Sequence, residues 1–254
     1  MQAVRPSRRR HAACVLERMT DAGAAYARPT VPVRHRRAAS GSRRARSGHA
    51  IGGRIVTRKP PPIVPAALDA CRRCPLWEHA TQAVPGAGSV DARIMLVGEQ
   101  PGDREDLTGL PFVGAAGHVL DRALDEAGIS RAAVYVTNAV KHFKWEPRGK
   151  RRLHKTPAQR EVDACRYWLE REIDAVRPRV IVALGVTALR AVLQDNDATL
   201  RGASATLRTA DGRPVVAANH PSYVLRTRGA DAREHAYHAL VDALRRAVGL
   251  ARGE

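Results

Sequence analysis

Four short runs of nearly uninterrupted apolar residues punctuate the chain: Arg93-Ile94-Met95-Leu96-Val97-Gly98, Ala133-Val134-Tyr135-Val136-Thr137-Asn138, Arg179-Val180-Ile181-Val182-Ala183-Leu184-Gly185 and Pro214-Val215-Val216-Ala217-Ala218-Asn219. Runs this short, β-branched and apolar on both faces predict strands buried inside a largely parallel sheet. Between them the apolar positions recur with helical period at about 116 to 127, 157 to 176 and 186 to 194, with a last helix near 230 to 248. Strand and helix in alternation from about residue 65 predict an α/β domain. Thr156-Pro157-Ala158-Gln159 reads as a helix start, with an N-cap hydroxyl, proline at the first helical position and a capping-box glutamine. Asp211-Gly212 reads as a hairpin turn leading into the fourth strand.

The first 60 residues break this pattern. They are rich in Arg, Ala, Ser and Pro and carry 15 Lys and Arg against Glu17 and Asp21, so they hold +13 of the net +18. With no apolar periodicity, residues 1–60 are expected to be a disordered extension and 61–254 the folded domain. The extension is read as a solvated tail or an early start codon, with Met19 as the alternative start, or as an arm that tethers DNA non-specifically. Its Arg-rich, acid-poor composition also mimics a transit peptide. The remaining +5 is too small for charge alone to argue for nucleic acid. The sequence has no secretory apolar region or membrane-length stretch, so a cytoplasmic location away from any membrane is the default expectation.

In a parallel sheet, ligands gather at the carboxyl ends of strands. Three segments meet that edge: GEQPGDREDLTGLPFVGAAG (98 to 117), AVKHFKWEPRGKRRLHK (139 to 155) and NHPS (219 to 222). The first is neither a Walker A loop nor a G-x-G-x-x-G turn, which disfavours nucleoside triphosphates and dinucleotides. It offers backbone amides at Gly98 to Gly102, acids at Glu99, Asp103, Glu105 and Asp106, and Phe112 as an exposed aromatic. Phe112 and Phe143 are the chain's two phenylalanines, and both lie in these loops. An aromatic there either fills a core gap or stacks on a flipped base. By composition alone, Lys150-Arg151-Arg152-Leu153-His154-Lys155 is a solvated patch contacting phosphate, and His220 a structural histidine.

The first loop, the strand YVTNAVK and the later NHPS closely resemble the iron-sulfur uracil-DNA glycosylases of family four, over about residues 65 to 248. KHFK at 141 to 144 and GKRRLHK at 149 to 155 resemble the UdgX branch, whose arginine-rich loop carries a covalent histidine. The resemblance implies a three-layer αβα sandwich with a four-stranded, mainly parallel sheet, acting as a monomer on uracil-containing DNA, single- or double-stranded. It implies that Gln100 reads uracil through its backbone, that Phe112 stacks on the ring beside Asp103, and that Asn138 bonds the Watson-Crick edge. His220 would hydrogen-bond uracil O2, while Lys150, Arg151, Arg152, Lys155 and Ser222 would contact DNA. His154 would attack C1′ of the sugar with Glu99 orienting it and accepting its proton. The four flanking cations are expected to disfavour the protonated imidazole and leave His154 nucleophilic. An alkylated imidazole leaves poorly, so a persistent adduct and a single turnover follow; the alternative is a turnover glycosylase in which water attacks.

The chain has four cysteines, and Cys14 falls in the extension. Where family-four enzymes carry a third cysteine after the second strand, this chain has His142, a substitution that also resembles the UdgX branch. The ligand set so implied is Cys71, Cys74, His142 and Cys165 around a 4Fe-4S cluster, with zinc as the alternative.

Overall fold

The computed structural model describes residues 65–200 and 206–254, so the extension read as disordered, with Cys14, lies outside the described residues. The apolar runs become β2 (Ile94–Gly98), β3 (Val134–Asn138), β6 (Val180–Leu184) and β8 (Pro214–Ala218), after a short β1 (Ala87–Gly88). Between β3 and β6 lie β4 (Trp145–Arg148) and β5 (Arg151–His154), and β7 (Leu207–Arg208) precedes β8. The helices are α1 (Pro65–Asp69), α2 (Asp103–Thr108), α3 (Ala115–Glu126), α4 (Gln159–Val176), α5 (Val186–Leu193), α6 (Pro221–Arg226) and α7 (Ala230–Arg252). Among the described residues no helix is long and apolar enough to cross a membrane.

The main sheet runs β1-β3-β2-β6-β8-β7. Its four central strands are the expected ones and all pair in parallel, in registers such as Gly98↔Asn138 and Val182↔Val216. The expected four-stranded sheet is thus six-stranded. The two added strands are antiparallel edges of two residues each, too short to leave a periodic trace. The turn at Asp211-Gly212 joins β7 to β8 as expected, with Gly212 at φ 81°.

Side chains that alternate along each strand sort into two cores, which makes the sandwich three-layered. Ile94, Leu96, Val134, Val136 and Val182 pack on one side with Leu120 and Leu124 of α3 and Leu240 and Leu244 of α7. Met95, Val97, Tyr135, Ile181 and Val215 pack on the other with Leu169 of α4 and Leu189 of α5. A third cluster, with Leu68, Val140, Val162 and Trp168, holds Cys71 and Cys165 beside Cys74.

Two expectations are corrected. The basic segment read as a loop is a two-stranded hairpin, β4 against β5, with Trp145 opposite His154 and Arg148 opposite Arg151. Helix α4 starts at Gln159 with Ala158 at its N-cap, and the capping acid is Glu161, whose Oε2 accepts the Ala158 N–H at 2.7 Å. Alanine has no side chain to return that bond, so only half of a capping box is present.

Candidate active site

The carboxyl ends of β2, β3 and β8 and the end of β5 converge on a cavity of about 670 Å³, lined among others by Glu99, Gln100, Asp103, Phe112, Asn138, His154, His220 and Ser222. Asn138 ends β3 and is buried, and its Oδ1 has no protein partner. An acceptor buried without a partner is costly, so this one points to a ligand donor. Gly98 makes room for it: a Cβ there would collide with Asn138 Oδ1 and stand 2.6 Å from the Phe112 ring.

Phe112, expected to be exposed, is 5% exposed, because it lies on the cavity wall within the core. Its φ of 56° is left-handed, an unfavourable backbone for an aromatic residue. Glu105 holds that strain in place. Its Oε1 accepts from Val113 N and Gly114 N at 3.0 and 2.9 Å, and its Oε2 from Gly102 N at 3.1 Å. Sequence reasoning treated Glu105 only as one acid among four; its role depends on contacts across the folded loop.

His154, the last residue of β5, has its side chain half exposed, with Nε2 3.3 Å from Glu99 Oε1. The other carboxylate oxygen accepts from Thr187 Oγ1 at 2.6 Å. Burial works against ionisation of Glu99, but the hydrogen bonds from His154 and Thr187, with the charges of His154 and His220, outweigh it and hold the carboxyl below its usual range. Thr187 was not foreseen, because it sits on α5 far along the chain. Phe143 backs the imidazole with ring centroids 6.2 Å apart.

The hairpin that carries His154 is anchored internally. The Gln100 side chain donates to Lys144 O at 3.2 Å and Lys155 O at 3.0 Å and accepts from Lys144 N at 3.0 Å. Arg152, expected on DNA, donates to Asp103 Oδ1 at 2.6 Å and to Asp106 Oδ2 at 2.5 Å, with its guanidinium 5.5 Å from the Phe143 and Trp145 rings. Asp103 is thereby engaged by Arg152. Lys155 pairs with Glu146 at 3.1 Å. Two of the four cations expected around His154 are therefore paired with carboxylates, and the Glu99 carboxylate lies beside the ring. Lys150 and Arg151 remain exposed at the hairpin tip.

His220 is the N-cap of α6. Its Nδ1 accepts from Ser222 N at 3.2 Å and lies 2.7 Å from Ser222 Oγ, which in turn accepts from Arg226 at 2.8 Å. An Nδ1 occupied by donors leaves the proton on Nε2. Burial, helped by the charges of Arg226 and His154 and opposed by Glu99, pushes the imidazole pKa down to about 4. His220 is a neutral donor at pH 7, packed 5.7 Å from the Phe112 ring. Ser222, expected on DNA, tethers this imidazole.

The three thiols of the described residues are free and gather in one apolar cluster. Cys71 Sγ accepts from Trp168 Nε1 and Cys165 Sγ from Lys141 N, both at 3.2 Å. Burial raises the Cys74 thiol and pushes Cys165 up to about 12. His142 is buried, near Arg72, Asp69 and Asp106. No group of three or more His, Cys, Asp or Glu side chains stands at metal-ligand geometry among the described residues. The donor chemistry nevertheless fits a thiolate-bound cluster, since N–H groups aimed at sulfur stabilise thiolates in an apolar pocket.

The fold and this cavity define the class: the chain matches the Uracil DNA glycosylase superfamily over residues 85–245 and belongs to it. Among its relatives, a type-4 uracil-DNA glycosylase of Thermotoga maritima is 40% identical over 172 residues, 67% of this chain and 86% of that protein. A type-4 uracil-DNA glycosylase of Pyrobaculum aerophilum is 42% identical over 49% of this chain and 60% of that protein. A type-5 uracil-DNA glycosylase of the same organism is 36% identical over 59% and 70%.

Proposed function

We propose that this protein excises uracil from DNA and stays bonded to the abasic sugar through His154, as its UdgX-like motifs imply. The observation that carries the reading is His154 Nε2 held 3.3 Å from Glu99 on the cavity that Asn138, Phe112 and His220 also line. Uracil presents an N3–H donor beside the O4 acceptor, and cytosine presents the reverse. An amide held in one orientation pairs with only one of them, and the mispaired group costs about 1–3 kcal/mol.

The Phe112 ring offers the flipped base a stacking face. As the C1′–N1 bond breaks, its electron pair leaves on the base, and His220 Nε2–H donates to O2 where that charge gathers. The unprotonated ring nitrogen of His154 forms the new bond to C1′, and the proton on its other nitrogen then passes through Glu99 to the departing base, which leaves as uracil. The product is a neutral alkylated imidazole, a poor leaving group, so one turnover ends the reaction. Lys150 and Arg151 at the hairpin tip, with Lys155, meet phosphates, and the protein works as a monomer on either strand state. Cys71, Cys74, His142 and Cys165 would hold a 4Fe-4S cluster, or zinc, and when bound it supplies a rigid cross-link between the Cys-x-x-Cys segment and α4.

The names of the type-4 relatives favour a second reading, in which Glu99 activates a water and a free abasic site is released. A denaturing gel of protein with uracil-containing oligonucleotide separates the two. A retained band that His154→Ser abolishes is expected; abasic product with no retained band supports turnover; neither product defeats both.

A further inference from the structure

Lys141 is among the largest fully buried side chains, in a segment whose other basic residues reach the surface. Its ammonium donates to Thr137 Oγ1 at 2.7 Å, Asn138 O at 2.8 Å and Glu172 Oε2 at 2.6 Å, which uses all three of its protons. Glu172, equally buried on α4, also accepts from Thr137 Oγ1 at 2.6 Å and, through Oε1, from Gly86 N at 2.8 Å. Neither side chain lines the cavity, so neither touches base or phosphate there.

Taking two charges out of water costs several kcal/mol per ion, and their attraction rarely returns more, so added stability is a poor reason to keep this pair. Its location supplies a better one. Lys141 grips the carbonyl of Asn138, whose side-chain Oδ1 has no partner in the protein. The next residues bind outward from the same turn: Ala139 N to Gly98 O at 2.9 Å, Val140 N to Glu99 O at 3.0 Å and Lys141 N to Cys165 Sγ at 3.2 Å. An amide whose oxygen must stay open for a ligand takes its position from its backbone, and this backbone is fixed by the ion pair beneath it.

We infer that Lys141, braced by Glu172, is a positioning residue for Asn138 and sets the discrimination between uracil and cytosine; this rests on the function proposed above. The pair works by geometry, through the Asn138 carbonyl, and a misplacement of about 1 Å at a reacting group costs on the order of 100-fold in rate.

The test is a double-mutant cycle on the full-length protein, reading uracil excision, cytosine excision and thermal unfolding. Exchanging the pair for apolar side chains, Lys141→Met with Glu172→Leu, is expected to lower the single-turnover rate constant of uracil excision about tenfold and narrow the uracil-to-cytosine ratio, with the melting temperature retained. In an Asn138→Ala background the same exchange is expected to cost less than about twofold, because the residue it positions is gone. An equal loss in both backgrounds, or no loss in the first, overturns the inference. If the exchanged pair does not fold, Thr137→Val, which removes one Lys141 acceptor, runs the same cycle with a smaller loss expected. Wild-type protein without uracil excision defeats the functional reading instead. The inference is then decided by the Asn138 side-chain amide signals in NMR spectra, which move when the pair is exchanged if it holds and stay in place if it does not.

Discussion

The state of His220 has a consequence for stability that can be measured without DNA. An unfolded histidine titrates near 6.5, and in the folded protein burial pushes His220 to about 4. Between those values the unfolded chain binds a proton that the folded chain refuses, so stability falls as pH drops through that window. At about 1.4 kcal/mol per pH unit, lowering the pH from 7 to 5 is expected to cost about 2 kcal/mol through His220 alone. Glu99 does not interfere there, since a carboxyl held below its usual range loses its contribution only at lower pH. The assay is urea unfolding of wild type and His220→Gln at both values. His142 is also depressed by burial, so wild type is expected to lose more than 2 kcal/mol, and the difference between the two proteins isolates the His220 share. Equal pH dependence in the two proteins would refute the neutral, buried imidazole and with it the donor assigned to uracil O2.

The other expectations follow from single contacts. Gly98→Ala forces its new methyl into Asn138 Oδ1 and the Phe112 ring, and is expected to cost about 1–3 kcal/mol of stability and on the order of 100-fold in uracil excision; a variant within twofold of wild type would contradict the packed cradle. Arg152→Ala strands the buried Asp106 carboxylate and is expected to destabilise by about 2–3 kcal/mol in denaturant titrations, while the salt slope of DNA binding stays unchanged; a slope reduced by about one unit would return Arg152 to the phosphates. Glu99→Gln keeps the Thr187 contact but removes the proton acceptor, and single-turnover kinetics are expected to slow about 100-fold or more.

The sheet was legible because each central strand is apolar on both faces, a pattern that only a covered parallel sheet requires. The edge strands were not, since two residues carry no period. The hairpin β4–β5 was hidden for a different reason: its basic residues read as a solvated run, and what folds it is Gln100 bridging 44 and 55 positions along the chain. Candidate site residues could be found from their place at strand ends, but their partners could not. Arg152 meets acids 49 and 46 positions away, and nothing local marks Asp106 as fully buried or Lys141 as an interior charge. Phe112 was found for its chemistry and misjudged for its exposure, because a Gly-rich loop gives no sign that Glu105 folds it inward.

Everything proposed for the reaction depends on which atom ends bonded to C1′. Peptide mapping by mass spectrometry, after incubation with uracil-containing oligonucleotide and digestion of both protein and DNA, reads that atom's residue directly. The expected result is a sugar-phosphate mass on the peptide containing His154 and on no other. An unmodified His154 peptide beside fully excised uracil, or the added mass on a different residue, would contradict it.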